Sequence, residues 1–450
     1  MARGVAGIGG PATPWTKGGR TLLREHAAKI AGNGTHRERT AEDTWRAVSP
    51  HLRTIGVTRV ADITGLDRIG IPVYSAIAPR SNDVISVYNG KGTTAVAART
   101  SAVMEAVERY AAALPARPVA VAPYAELAGT PVLDPRECLL QPHPRWTEST
   151  PISWVEGHDL LSGSTVLVPA FIAGYHVAWH ETPCSAVATT NGIASGNTVE
   201  EAVCHALSEL IERDDWTMAE LVAHYLSAQL DPADALPLRQ RYPDIELDSL
   251  PDSAARLVEM FELAGVSLRL KNITGVSGVP SVFAVSVEDL APTFSYGHHG
   301  IGTHPDAEVA VLRAITEVAQ CRAVDMQALR EDITLPGSDV HKSQWHAQRA
   351  SKTDEGSWAT APTAAIRFRD LPSRPSDDVV ADIRVLLDVV LARGLDKAIV
   401  VDLSPPGIPA SVVRVIVPGL ESWSIDSSRI GARATHAWNE AVRSLELERA

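Results

Sequence analysis

The chain has 450 residues, of which 45% are hydrophobic and 21% charged, and a formal net charge of −13. That length can bury a large core and hold two or three domains. The acidic balance excludes a nucleic-acid binder with a broad basic face, and no run of about 18 apolar residues offers a membrane span.

In chain order, residues 1–32 read as a flexible N-terminal segment, rich in Gly and Pro to about residue 20, with a short helix over Thr21–Ala31. No apolar secretory core is expected there. Thr40 followed by Asp43 has the form of a capping box and starts a helix running to Leu52. Asp67 to Ile77 reads as a turn into a strand, and Val84–Tyr88 as a second strand. A glycine loop follows, Asn89-Gly-Lys-Gly92, then a helix over Thr94–Ala113. Residues 114–150 read as loops and short helices. Ile152–Glu156 and Thr165–Pro169 form a hairpin.

Asn191-Gly-Ile-Ala-Ser-Gly-Asn197 is a second glycine loop, and a long helix follows it. Asn197 or Thr198 caps that helix, with Glu200 and Glu201 in its first turn. Residues 231–252 read as a connector, Ala254–Ala264 as helix, and Val266–Lys271 and Ser281–Val287 as strands. Gly297–Gly302 then leads into a helix over Pro305–Ala328. Residues 331–375 form a candidate mobile insertion. A helix over Ser376–Arg393, strands Lys397–Asp402 and Ser411–Val417, and a helix over Thr435–Leu447 close the chain.

The cysteines Cys138, Cys184, Cys204 and Cys321 include no C-x-x-C pair. A zinc site is therefore not expected, and a reduced, cytoplasmic protein is. His176, His180 and His205 share no ligand-like spacing and read as structural or surface residues.

One design recurs. The two glycine loops each lead to Glu-x-x-Glu-Arg, at Glu105, Glu108 and Arg109 and again at Glu209, Glu212 and Arg213. Gly92 precedes Glu105, and Gly196 precedes Glu209, by 13 positions each. A weaker third copy spans Gly300–Arg322, with Glu317 at the first acid and Gln320 at the second. Glutamates at i and i+3 leave one helix face. A single such pair is an ordinary solvated face. Two copies at one spacing, beside Met104, Val107, Leu210 and Ile211, predict four carboxylates converging in a water-poor site, where they repel unless a cation neutralises them. All candidate ligands are oxygens, and the Glu-x-x-His of di-iron bundles is missing, so the cation is expected to be Mg2+. Lys91, Arg109, Arg213 and Arg322 would supply phosphate donors. No Walker sequence is present.

At these residues the chain resembles the YcaO family. The matching segments are Gly65-Leu-Asp-Arg-Ile-Gly-Ile-Pro-Val73, Asn89–Gly92, Ser101–Arg109, Asn191–Asn197 and Glu209–Asp214. The likeness covers residues 33–435 as one catalytic domain of pseudo-repeated subdomains and leaves 436–450 as a C-terminal tail. It implies an α+β, YcaO-type fold of repeated loop-helix units packed on mixed β-sheets, with the ATP site between them. It also implies ATP-dependent modification of a peptide backbone amide. The amide oxygen is phosphorylated, a nucleophile adds to the same carbon, and phosphate leaves. A side-chain thiol or hydroxyl gives an azoline, sulfide a thioamide, and the peptide's own amine an amidine. Carried over, Glu105, Glu108, Glu209 and Glu212 match the Mg2+ ligands. Asn197, Glu201 and Arg213 match nucleotide contacts, and Arg37, Thr44, Lys91 and Arg322 complete that set.

The chain ends Leu-Glu-Leu-Glu-Arg-Ala, without the Pro-x-Pro-x-Pro tail of azoline formers. It resembles the stand-alone branch, which includes TfuA-associated thioamide formers and bottromycin-type enzymes. The partners this implies are a precursor peptide, a TfuA-like or other leader-binding or sulfur-delivering protein, and a second copy in a homodimer. The competing readings are a metal-dependent hydrolase using the same glutamates, and a non-catalytic peptide-binding partner protein.

Overall fold

The structure, a computed structural model, describes residues 16–17, 20–21, 23–30, 37–81, 85–115, 117–137, 146–175, 189–276, 278–291, 294–328, 357–423 and 430–449. The expectations for residues 1–15, His176, His180, Cys138, Cys184 and most of the 331–375 insertion lie outside these residues.

Four sheets carry the described chain. β1 (Thr16–Lys17) pairs with β2 (Arg20–Thr21). β3 (Arg59–Asp62), β4 (Val73–Ile77) and β5 (Val87–Lys91) form an antiparallel three-stranded sheet in that order. The six-stranded sheet is built from β6 (Ala120–Pro123), β7 (Pro151–Asp159), β8 (Thr165–Pro169), β9 (Ile193–Gly196), β15 (Ile399–Asp402) and β16 (Ser411–Ile416), running β6-β7-β15-β16-β9 with β8 also on β7. The five-stranded sheet runs β13-β12-β11-β10-β14. Its strands are β10 (Asp244–Ile245), β11 (Ser267–Asn272), β12 (Ser281–Ala291), β13 (Phe294–Thr303) and β14 (Ala365–Ile366), and its β10–β14 pair is parallel. The sheets are thus mixed, as expected.

Nine α-helices are described: α1 (Ala41–Val48), α2 (Ala95–Ala112), the short α3 (Ala170–Ala173), α4 (Val199–Ala219), α5 (Pro232–Arg239), α6 (Asp252–Leu263), α7 (Ala307–Ala328), α8 (Val379–Ala392) and α9 (Ala432–Arg449). Three long helices, α2, α4 and α7, each follow closely on a strand and lie on separate sheets. α2 buries Ala102, Val103, Ala106 and Val107 with Ala76 and Tyr88 of the three-stranded sheet. α4 lies between the six-stranded sheet and α8, packing Leu207, Leu210 and Ile211 with Val413, Val415, Leu386 and Val390. α7 packs Ala314, Ile315 and Val318 with Leu270, Val282 and Ala284, and α6 closes that core.

The recurring glycines make close strand–helix contacts. Gly90 sits in β5, Gly196 in β9 and Gly302 in β13, and Gly92 directly follows β5. A Cβ on Gly90 would lie 2.0 Å from the backbone N of Ala102, and one on Gly196 would lie 2.6 Å from that of Ala202. One on Gly302 would lie 2.0 Å from the Ala310 carbonyl oxygen. Strand and helix backbones therefore touch, which explains the alanines opposite. Thr94 and Thr198 cap α2 and α4, accepting from the N–H groups of Ala97 and Glu201. Asp306 does the same for α7 through the Glu308 N–H at 2.9 Å. Glu105, Glu209 and Glu317 each come 11 positions after those caps at 94, 198 and 306. The three units are one device with a common register.

Several stretches differ from the sequence expectation. Residues 114–150, read as loops and short helices, contribute β6 to the six-stranded sheet. Thr21–Ala31 is not helical. Its described residues run extended, bridging Ala28 to Asp378 and Ile30 to Arg37, because Leu23 and Ala27 bury against the α4–α8 core. The 231–252 connector contains α5. The 435/436 boundary falls inside α9, which packs Ala441 and Leu445 on Val222 and Leu226. Among the described residues no helix is long and apolar enough to cross a membrane.

Gly90→Ala is expected to cost about 3 kcal/mol of unfolding free energy, because the methyl group has no room against the α2 backbone. Gly65→Ala, in open space, is expected to stay within about 0.5 kcal/mol of the parent. Equal denaturant midpoints for the two variants would contradict the contact.

Candidate functional site

The three units converge on a cleft of about 480 Å³. α2 contributes Glu105, Glu108 and Arg109, α4 contributes Glu201, Glu209, Glu212 and Arg213, and α7 contributes Arg313, Glu317 and Gln320. The strand ends add Lys91 and Asn197, and the segment before α1 adds Arg37 and Arg39. Thr44 of α1 also lines it.

Two regions with different chemistry face each other. The first is a polar lattice around Glu201. Its carboxylate accepts from the backbone N–H of Glu38 at 2.7 Å and of Asn197 at 2.9 Å, and Arg37 lies 3.5 Å away. Thr44 Oγ1 donates to Asn197 Oδ1 at 2.8 Å. These bonds fix the amide of Asn197, which donates to Glu201 at 2.9 Å.

The second is the acid group. Glu108 accepts from the Ser195 N–H at 3.1 Å, and Glu209 accepts from the Gly192 N–H at 3.3 Å. Glu105 pairs with Arg109 at 3.1 Å. Arg213 stands 3.8 Å from Glu209 and 3.7 Å from Glu212, while Lys91 pairs with Glu317 across the cleft. Glu212 is 2% exposed, and its Oε2 has no hydrogen-bond partner.

Burial, then the charges of Glu105 and Glu209, push the Glu108 carboxyl well above the usual range. Burial raises Glu209 as well, against Arg213 and the Gly192 N–H. At Glu212 burial outweighs Arg213 and Arg313 and pushes the carboxyl up to about 7. Burial would also raise Glu317, but Lys91 and Arg213 outweigh it and hold that group below its ordinary value. Buried oxygens without enough positive charge fit a hard divalent cation, which would let all of them ionise.

The cleft brings together eleven of the twelve ligand and nucleotide residues named from sequence. The exception is Arg322. It is 1% exposed and bound to Asp67 at 2.8 and 3.1 Å and to Glu288 at 2.8 Å, outside the cleft. Its charge is consumed in holding the Asp67 turn to β12, so it offers no phosphate contact. Arg313, one helical turn before Glu317, lines the cleft instead. Sequence reasoning also missed His205. Its Nε2 lies 3.2 Å from Arg313 Nη2, and burial, then Arg313, Arg37 and Lys91, hold it well below its ordinary value. A guanidinium has no acceptor, so Nε2 of His205 is the acceptor and Nδ1 carries the proton. His205 lies four positions after Glu201 and four before Glu209, so the helical period alone could have found it.

Residues 89–421 match the profile of the YcaO cyclodehydratase family, described as ATP- and Mg2+-binding. The chain belongs to the YcaO family. Among its YcaO-like relatives is a protein of Rhizobium leguminosarum bv. trifolii named for its place in the tfuA 3′ region. It is 34% identical over 411 residues, covering 89% of this chain and 93% of that one. The solved YcaO of Methanopyrus kandleri, bound with AMPPCP and Mg2+, is 26% identical with a TM-score of 0.65, over 90% of this chain and 98% of that one. A heterocyclase solved in complex with substrate and cofactor superposes with a TM-score of 0.70 at 24% identity. The match covers 89% of this chain and 54% of that one, and it supports the YcaO fold alone. The chain is therefore a member of a family of ATP-binding cyclodehydratase enzymes, and the family's cofactors are ATP and Mg2+.

Glu212 binds its proton more tightly folded than unfolded. Its contribution is present below about pH 4.5 and is lost as the pH rises towards about 7. Without divalent cations, Glu212→Gln is expected to be more stable than the parent by about 3 kcal/mol near pH 8 and equal to it near pH 4. Calorimetric melting checks this, and an advantage independent of pH would contradict the buried, under-neutralised carboxylate.

Proposed function

We propose that the chain is an ATP- and Mg2+-dependent enzyme that activates a backbone amide of a precursor peptide by O-phosphorylation, for attack by a nucleophile. The observation that carries this reading is the pairing, in one cleft, of four buried or half-buried glutamates with the cations Arg37, Lys91, Arg213 and Arg313. Acids alone would suit a free cation, and bases alone a phosphate. The two sets together suit a polyphosphate with its divalent ion.

In this reading Glu105, Glu108, Glu209 and Glu212 hold Mg2+, which when bound neutralises charge on the phosphates. Asn197, Glu201 and Thr44 contact the nucleotide. Arg37, Lys91, Arg213 and Arg313 donate to phosphate oxygens, with Arg313 replacing Arg322 in that role. The task of these side chains is positioning and charge neutralisation, since the amide oxygen becomes a leaving group only as a phosphate. The amide oxygen takes the γ-phosphoryl group and ADP departs. The nucleophile then bonds to the carbonyl carbon, its proton is lost, and phosphate leaves with the former amide oxygen. Sulfide as nucleophile yields a thioamide, a side-chain thiol or hydroxyl an azoline, and an amine an amidine. The relative from the tfuA region favours a partner protein of TfuA type and, with it, thioamide formation. The hydrolase reading is disfavoured because His205, the one histidine lining the cleft among the described residues, turns its Nε2 to Arg313.

Mg2+ with ATP is expected to raise the melting temperature of the parent, and Glu209→Ala to abolish that rise. A parent that shows no shift would sink the reading. Mass spectrometry of a peptide encoded beside the gene then assigns the nucleophile. Loss of one water means azoline or amidine, and exchange of oxygen for sulfur means thioamide.

A further inference from the structure

The acid face of α4 does not stop at the cleft. Glu209, Glu212, Trp216 and Glu220 follow one another at intervals of three and four, so they share one side of the helix. The guanidinium carbon of Arg213 lies 5.5 Å from the centroid of Trp216. Trp216 packs against His299 of β13 at 5.2 Å, and His299 stacks on Phe283 at 5.5 Å with the rings 11° apart. His299 is exposed and Trp216 half-buried. Trp216 Nε1 donates to Glu220 Oε1 at 3.2 Å.

At Glu220 the α-helix gives way to a π-helical stretch, Glu220–Leu226. Such irregular turns recur at functional sites. This one sets His224 and Tyr225 edge-on at 4.8 Å, with Tyr225 45% exposed. Among the described residues Glu220 has no lysine or arginine partner; the rings of Trp216 and Trp358 and the side chain of His224 surround it. A buried carboxylate among aromatic rings, with His224 as its charge partner among the described residues, is costly to keep. The same arrangement attracts an organic cation, through the ring faces and the carboxylate together.

The geometry points to a peptide subsite on this platform, in which a cationic group of the substrate peptide lies against Trp216 and His299 and pairs with Glu220. The inference rests on the reading of the cleft as the nucleotide site, beyond which the acceptor peptide must lie. Eight helical residues separate Glu212 from Glu220, about 12 Å along the axis. An extended peptide covers that in about four residues. The cation therefore belongs to a lysine or arginine side chain, or to the peptide's own amino terminus, within about four residues of the modified amide.

The test is calorimetric titration of the full chain with three pentaglycine amides, each with and without Mg2+ and a non-hydrolysable ATP analogue. One is N-acetylated and neutral, one has a free amino terminus, and one is acetylated with a single lysine. At least one cationic peptide is expected to bind about tenfold more tightly than the neutral one, and the arm that does so identifies the source of the charge. Glu220→Gln, which keeps the acceptor for Trp216, is expected to remove that advantage, as is Trp216→Leu. Equal binding of all three peptides by the parent, or an advantage that survives in Glu220→Gln, would overturn the subsite. The melting-temperature rise with Mg2+ and ATP is read separately on the same proteins. Its absence from the parent counts against the nucleotide site, whereas its presence with indifferent peptide binding counts against the subsite alone.

Discussion

Backbone contact between strand and helix is the constraint on which the rest of this structure depends. At Gly90, Gly196 and Gly302 the strand lies so close to the following helix that a single methyl group would collide with main-chain atoms. Contact at that distance leaves little freedom to rotate or slide the helix. With the helix start fixed by Thr94, Thr198 or Asp306, the residue 11 positions on must point in a set direction. Three such units, each on its own sheet, aim Glu105, Glu209 and Glu317 into one volume. The site is therefore specified by backbone packing before any electrostatic term acts.

The electrostatics then run against the fold. Burial outweighs the neighbouring cations at Glu108, Glu209 and Glu212, so these acids hold their protons unusually strongly. An empty cleft with all of them ionised would be strained. Free energy stored in this way is available to a bound divalent cation and, through it, to a nucleotide. Glu317 differs because Lys91 already neutralises it. That difference matches the sequence, where the third unit has Gln320 in place of a second acid.

Much of this was legible in the chain. The repeated Glu-x-x-Glu-Arg at one distance from a glycine gave the convergence of α2 and α4, because helix phase converts spacing into direction. The close strand–helix contacts at the glycines were not legible, since sequence does not say which neighbour a missing side chain admits. Arg322 was misassigned for a related reason. Its partners Asp67 and Glu288 are distant in sequence, and only the tertiary fold brings them to it. The third helix carries the arginine that lines the cleft, Arg313, before the acid and not after it, whereas the motif order points to Arg322. His205 is legible by helical period, four positions from Glu201 and from Glu209, and not by metal-ligand spacing. Thr21–Ala31 has apolar residues at helical intervals, yet only the contact with Asp378 and the α8 core decides its extended course.

The central claim is that the glutamates of α2 and α4 form a cation site through which the nucleotide is held. Calorimetric titration of a non-hydrolysable ATP analogue, in buffers of different ionisation heat, with and without Mg2+, tests it most directly. Binding is expected to require Mg2+ and to release protons near neutral pH, as the buried acids are forced to ionise. Binding of equal strength without Mg2+, and with no change in protonation, would contradict it.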